Sequence, residues 1–284
     1  MIQPGPQRTL AAPISVHGIG YWSDRDITVT FMPAEPDSGL VFVREDLPGK
    51  PRIPVRPEYR IAIPRRTSLE KNGARVEMVE HVLSALKGMN VDNCEIRVTA
   101  VEMPGLDGSA ADFVTAFDSV GYEEQNVPQK QWLVTEAFTQ KDPDPTRSRF
   151  VSAAPAEELQ ISFDIRYGQK SPIGNQTAQI TLSPEVYRNE IAPCRTFVTR
   201  QEADAILKAG LAKRATYQDL LVFGENGPIE NTLRFPNECA RHKLLDIIGD
   251  LALLQGRLFA NVRAFCSGHD LNALFVKQIL ERLV

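Results

Sequence analysis

Histidine is scarce in this chain of 284 residues: only His17, His81, His242 and His269 occur, and three of them stand in segments able to do chemistry. The densest is His242-Lys243-Leu244-Leu245-Asp246-Ile247-Ile248-Gly249-Asp250. On a helix, residues four apart share a face. His242 and Asp246 can therefore offer one cation a nitrogen and an oxygen, a pairing that zinc accepts, and Asp250 continues the stripe. The competing reading is a solvated helix face that happens to bear a His–Asp pair. Glu80-His81 is the second element. Adjacent helical residues diverge by about 100°, so the natural division gives His81 to a metal and Glu80 to the water that the metal activates; a plain surface pair is the alternative. The third, Ser267-Gly268-His269-Asp270-Leu271-Asn272, is a glycine-hinged turn running into a helix. A histidine there serves as general acid or oxyanion partner, or simply caps the helix. In Arg195-Thr196-Phe197 a hydroxyl beside an aromatic ring either polarises a carbonyl or packs in a corner.

Positioning such residues requires a framework, and the hydrophobic pattern outlines one. Residues 14–17, 27–31, 39–43 and 94–99 read as strands, while 47–64, rich in proline and basic residues, reads as irregular or edge structure. Val79, Val82, Leu83, Leu86 and Met89 recur at helical spacing, with Gly88 near the stop, and residues 110–120 form a second helix. The loop between holds Gly105, Asp107 and Gly108, read as turn formers. Polar residues 123–128 mark the expected boundary between two domains, 1–126 and 127–284. Beyond it come strands at 131–134, 149–153, 159–163 and 176–182, helices at 200–208 and 237–254, and a closing helix from near Leu271. Strands and helices follow a similar order in both halves, which suggests two related α+β layers. His17 falls on a strand and has no assigned role.

The bulk numbers set limits. A chain of this length exceeds the commonest single-domain size. A formal net charge of -4 argues against a nucleic-acid partner, whose footprint is basic. The sequence has no stretch of about 18 apolar residues to span a membrane. The N-terminal segment lacks the apolar core of a signal peptide. Four scattered cysteines read as reduced thiols, so a cytoplasmic protein is expected.

Taken together, Glu80-His81, Thr196, His242-Lys243 with Asp246 and Asp250, and Gly268-His269 resemble the UDP-3-O-acyl-N-acetylglucosamine deacetylase family, also called LpxC. The surrounding words match in order: Arg8-Thr9-Leu10, Gly18-Ile19-Gly20, Val79 to Leu86, Asp92-Asn93, Glu102-Met103-Pro104-Gly105-Leu106-Asp107-Gly108-Ser109, Ile173-Gly174-Asn175-Gln176, Ile191-Ala192-Pro193-Cys194-Arg195-Thr196-Phe197 and Arg234-Phe235. The resemblance implies an α+β fold of two similar domains, each a β-sheet layered with helices, with the active site at the domain junction. It implies a zinc hydrolase of lipid A (lipid) biosynthesis that removes an acetyl group from a UDP-linked N-acetylglucosamine derivative. His81, His242 and Asp246 fall on the metal ligands, Glu80 on the general base, His269 on the general acid and Asp250 on the carboxylate that orients it. Thr196 matches a hydroxyl near the oxyanion, and Lys243 and Phe197 match substrate-binding positions. Zn2+ is the expected ion, with Fe2+ the alternative. A monomer that touches a membrane surface only transiently is expected.

Four stretches depart from the family pattern, all where the resemblance puts the acyl chain and nucleotide. They are Tyr21-Trp22-Ser23-Asp24, Val198-Thr199, Arg214-Ala215-Thr216 and Cys266. Two other readings follow: a divergent paralogue acting on a different, non-acylated N-acetyl sugar nucleotide, and a non-catalytic sugar-nucleotide-binding relative.

Overall fold

The computed structural model describes residues 3–283. The first half contains β1 (Pro6–Leu10), β2 (Ile14–Ile19), β3 (Asp26–Pro33), β4 (Leu40–Arg44), β5 (Arg52–Pro54), β6 (Arg60–Ile63), β7 (Arg66–Lys71), β8 (Ala74–Glu77), α1 (Glu80–Gly88), β9 (Cys94–Val98), α2 (Ala111–Val120) and β10 (Tyr122–Pro128). The second contains β11 (Gln131–Leu133), β12 (Phe138–Lys141), β13 (Phe150–Ala154), β14 (Leu159–Arg166), β15 (Asn175–Thr181), α3 (Pro184–Val186), β16 (Phe197–Thr199), α4 (Arg200–Lys208), β17 (Leu221–Gly224), β18 (Gly227–Pro228), α5 (Glu238–Leu251), β19 (Arg257–Phe265) and α6 (His269–Leu283).

The two halves repeat one topology. The first sheet runs β2-β3-β9-β4-β5 and the second β12-β13-β19-β14-β15, with β11 also on β19. In each, the late strand (β9 or β19) enters the middle, antiparallel to one neighbour and parallel to the other. In each, a helix precedes that strand and another follows it. Alternation sets the faces: in β3, Ile27, Val29 and Phe31 are buried, and in β19, Leu258, Ala260, Val262 and Ala264. What distinguishes the halves is inserted ahead of the first helix. The first half adds the antiparallel sheet β6-β7-β8; the second adds β16-β17-β18 with α4.

Some expected boundaries shift. The polar stretch at 123–128 lies within β10, which runs antiparallel to β1. Its side chains are mostly solvent-facing, which is why its composition reads as a linker. Residues 47–64 contain the short strands β5 and β6, and the closing helix starts at His269, two residues before Leu271. Tyr187–Ile191 forms a π-helical turn after α3. No helix among the described residues is long and apolar enough to cross a membrane.

Helices α1 and α5 are buried almost all round, as expected of helices enclosed by other layers rather than lying on a surface. They cross at van der Waals contact because Gly249 of α5 faces the backbone of Glu80; a Cβ there would overlap the Glu80 carbonyl. The same interface is stitched by Ser84, whose hydroxyl donates to the Leu245 carbonyl at 2.7 Å and accepts from the Tyr187 hydroxyl at 2.9 Å. Gly249→Ala is expected to force the helices apart. Overpacking of a tight interior costs about 1–3 kcal/mol, so denaturant unfolding should show a lowered midpoint of that size, and a variant as stable as the parent would contradict the contact.

Candidate metal and acid–base site

The helix crossing brings the first turn of α1 against the middle of α5. The chain enters α1 from β8 through Met78, held in the left-handed region at φ 57°; Cys266, just before α6, has φ 49°. Such backbone is unfavourable for a residue with a side chain, by about 1–2 kcal/mol. It turns the chain sharply, so that Glu80 and His269 point into the same cleft.

His81, His242 and Asp246 each present one donor atom, all within 4.8 Å of one another. His242 Nε2 lies 3.3 Å from Asp246 Oδ1 and His81 Nε2 3.8 Å from it. Their protonation follows from their partners. His242 Nδ1 sits 3.1 Å from the Cys194 carbonyl, which can only accept, so Nδ1 carries the proton and Nε2 keeps its lone pair. Lys243 Nζ donates to Asp246 Oδ2 at 2.6 Å and leaves Oδ1 free. Burial opposes ionisation of Asp246, yet Lys243 and His242 hold its carboxyl well below the usual carboxylate range. Burial and the neighbouring His242 push His81 down to about 3, and burial lowers His242 as well. Two neutral imidazoles beside an ionised carboxylate form the protonation state that cation binding requires.

A second cluster adjoins this one. Asp250 Oδ2 accepts from His269 Nδ1 at 3.0 Å and from Asn272 Nδ2 at 2.8 Å, while Oδ1 accepts from the Thr67 hydroxyl at 2.6 Å. His269 Nε2 lies 3.9 Å from Glu80 Oε1, and Glu80 Oε2 accepts the Thr67 backbone N–H at 2.9 Å. Burial pushes Glu80 up to about 7, with Asp246 and Asp250 adding to the rise and His269 opposing it. For His269 burial works downward, but the Asp250 and Glu80 carboxylates overcome it and raise the imidazole to about 9. A carboxylate ready to take a proton thus stands beside an imidazolium ready to give one.

Thr196 and Phe197 arrive on a segment fixed from three sides. Arg195 is buried against Glu238, its Nε 2.9 Å from Oε1, and Glu238 also accepts the Arg195 backbone N–H at 3.1 Å. The Thr196 N–H donates to the Gly108 carbonyl at 2.7 Å. Gly108 itself, at φ 79°, has no room for a Cβ beside Thr196, so the glycines of this loop shape a turn that abuts the site. Lys243 Nζ lies 5.7 Å from the Phe197 ring centre, within cation–π range.

Glu80, His81, Thr196, Phe197, Lys243 and His269 line one cavity of about 610 Å³. Beyond them the wall is mixed: Trp22, Ile63, Met78, Val198, Ile206, Ala212, Ala215, Leu220, Leu271 and Leu274 supply an apolar part, and Arg65, Asp142, Asp144, Arg147, Arg149, Glu202 and Asp270 a charged one. The nine site residues singled out in the sequence therefore lie in or directly against one cleft. Thr67 and Asn272 hold Asp250; Asn272 lies in the His269 segment singled out in the sequence without a role of its own, and Thr67 belongs to no recognisable catalytic pattern. His17 is elsewhere, on β2, with Nδ1 2.8 Å from the Thr28 hydroxyl.

Three relatives are similar to this chain in sequence. A UDP-3-O-acyl-N-acetylglucosamine deacetylase of Anaeromyxobacter sp. (strain Fw109-5) is 36% identical over 275 residues, 96% of this chain and 88% of the relative. The protein of that name from Chlamydia felis is 36% identical over 280 residues, 98% of each chain. A bifunctional enzyme LpxC/FabZ of Chlorobaculum tepidum is 34% identical over 96% of this chain and 64% of its own length. The family model described as UDP-3-O-acyl N-acetylglycosamine deacetylase matches residues 7–281, and the chain belongs to that family.

Proposed function

We propose that this protein is a zinc-dependent deacetylase that hydrolyses the acetamide of UDP-3-O-acyl-N-acetylglucosamine. The observation that carries the reading is the convergence of His81, His242 and Asp246 beside a Glu80–His269 pair with opposed proton affinities. Two histidines and one carboxylate leave a zinc coordination position open, the arrangement of a catalytic rather than a structural site. A bound zinc ion would polarise the acetamide carbonyl and make water a better nucleophile.

The remaining steps belong to the chain's own groups. Glu80 accepts the proton of the attacking water, for which it must be ionised. The negative charge that develops on the carbonyl oxygen is met by the Thr196 hydroxyl and by protonated His269. His269 then gives its proton to the departing sugar amine, because an amine leaves as a neutral molecule and not as an anion. Asp250 keeps the His269 ring oriented and charged. Lys243 and Phe197 offer a cation and an aromatic face to the sugar nucleotide.

The apolar wall formed by Trp22, Val198, Ile206, Ala212, Ala215 and Leu220 supports an acylated substrate. Trp22 and Val198, which depart from the family pattern, both belong to this apolar part of the wall. Burying methylenes is worth about 0.8 kcal/mol each, so an acyl chain would add greatly to affinity. UDP-3-O-acyl-N-acetylglucosamine should accordingly be turned over with a kcat/KM at least ~100-fold above that of UDP-N-acetylglucosamine. Preference for the unacylated compound would defeat the proposed substrate.

Chelation should abolish turnover and stoichiometric zinc should restore it, with Asp246→Ala unable to retain the metal; activity that survives in metal-free protein would refute zinc dependence. Glu80→Gln should lower kcat by about 10²–10⁴-fold, the usual contribution of a general base, while metal content stays that of the parent. The pH profile of kcat/KM should rise through the ionisation of Glu80, at or below about 7, and fall as His269 loses its proton near 9. Asp250 raises His269, so Asp250→Asn should move the alkaline limb to lower pH by about one unit or more. An unmoved limb would mean that a different group sets it.

A further inference from the structure

Among the described contacts, Thr67 bonds directly both to Glu80 and to Asp250, the carboxylate that holds His269. It lies on β7, in the small sheet inserted before α1, and is 1% exposed. Its backbone N–H donates to Glu80 Oε2 at 2.9 Å. Its hydroxyl donates to Asp250 Oδ1 at 2.6 Å. Its carbonyl accepts the N–H of Val79, the residue just before α1, at 3.2 Å. A carboxylate has no proton to give, so both side-chain contacts have a fixed direction, from Thr67 to the acid.

We propose that Thr67 is a positioning residue for the reaction: this one strand residue sets the separation and orientation of Glu80 relative to the Asp250–His269 pair. The inference rests on the roles given above to Glu80 and His269. The physical reason is geometric. Asp250 is held at Oδ2 by His269 and Asn272, which both come from α6. Those two bonds alone let the carboxylate pivot with α6. The Thr67 bond on Oδ1 ties it to β7 instead, and the same residue's N–H fixes Glu80 to β7 too. Both proton-handling groups therefore share one rigid reference, with Glu80 Oε1 and His269 Nε2 left 3.9 Å apart and facing the cleft. β7 contributes no other residue to either cluster, and the hydroxyl is otherwise hard to explain on a strand residue that is fully enclosed, where valine has the same shape.

The test compares Thr67→Val, which keeps shape and backbone but loses the hydroxyl, with Thr67→Ser, which keeps the hydroxyl. On UDP-3-O-acyl-N-acetylglucosamine the valine variant should lose roughly tenfold or more in kcat, as small misplacements of catalytic groups do, with KM within about twofold of the parent. Serine should restore most of the loss. In an Asp250→Ala background the valine substitution should add nothing further, because the acceptor of the bond it removes is already gone. A substrate-free reading uses protein labelled with ¹⁵N-histidine: the His269 Nδ1–H resonance should exchange faster with solvent in Thr67→Val and stay as in the parent in Thr67→Ser. If the valine variant does not fold, Thr67→Ala is read in the same way. Unchanged kcat and an unchanged resonance in the valine variant would overturn the proposal, as would equal impairment of valine and serine, or a loss confined to KM. Were the parent inert on this substrate while the resonance still responded to Thr67→Val, the assigned reaction would fall and the tether would stand.

Discussion

Backbone contact between α1 and α5 is the constraint on which the site depends. Glu80 and His81 sit 161 or more residues away from His242, Asp246 and Asp250 along the chain, and neither helix alone can assemble three donors on one ion. Helices with ordinary side chains between them stay about 8–10 Å apart axis to axis. Gly249 removes the side chain at the crossing point, so Glu80's own peptide lies against α5. Because Gly249 is flanked in sequence by Ile248 and Asp250, and stands one turn after Asp246, the point of closest approach is also the point where the carboxylates project. Tight packing and catalytic geometry are here one feature.

The low dielectric created by that packing then sorts the ionisable groups. Burial acts on every one of them in the direction of neutrality, and what decides each outcome is the neighbour. His81 has another imidazole beside it and is driven to about 3, whereas His269 has two carboxylates and is raised to about 9. Glu80 and Asp246 diverge in the same manner. Lys243 donates directly to Asp246 and keeps it ionised, while Glu80 has only a backbone N–H and a distant imidazolium to set against burial. One pocket thus holds two histidines and two carboxylates in four different conditions, a separation of the kind that marks acid–base sites.

Much of this was legible in the sequence, for reasons that can be named. The i, i+4 spacing of His242 and Asp246 survives into the structure because helical periodicity is local, and α1 shows the same periodicity through Val79, Val82, Leu83 and Leu86. The core strands announce themselves by alternation. Other parts depend on non-local contacts. Nothing around Thr67 in Arg66-Thr67-Ser68-Leu69 distinguishes a tether from an ordinary strand threonine, since its partners lie 13 and 183 residues away. β10 is polar because it lies on an exposed two-stranded ribbon, so composition describes it as a linker although its hydrogen bonds are those of a strand. The π-helical turn at Tyr187 likewise answers to a distant demand: Tyr187 reaches Ser84 across the helix interface and fills the space left by Gly88.

The departures from the family pattern make physical sense when taken as one set of contacts. Tyr21 donates to the Leu106 carbonyl at 3.2 Å and also bonds the Asp219 carbonyl; Arg214 donates to the Asp24 carbonyl and to the Asp26 carboxylate, each at 2.9 Å. Trp22 donates its N–H to Glu102 and lies 4.6 Å beneath the Arg66 guanidinium. The turn between β2 and β3 thus clasps the segment following α4, Tyr21 reaching Asp219 and Arg214 reaching back to Asp24 and Asp26, while Trp22 is held within its own half by Glu102 and Arg66. None of these contacts involves His81, His242, Asp246, Glu80 or His269, so the stretches that clasp the rim of the cavity and the groups that converge at its base are held by separate sets of bonds.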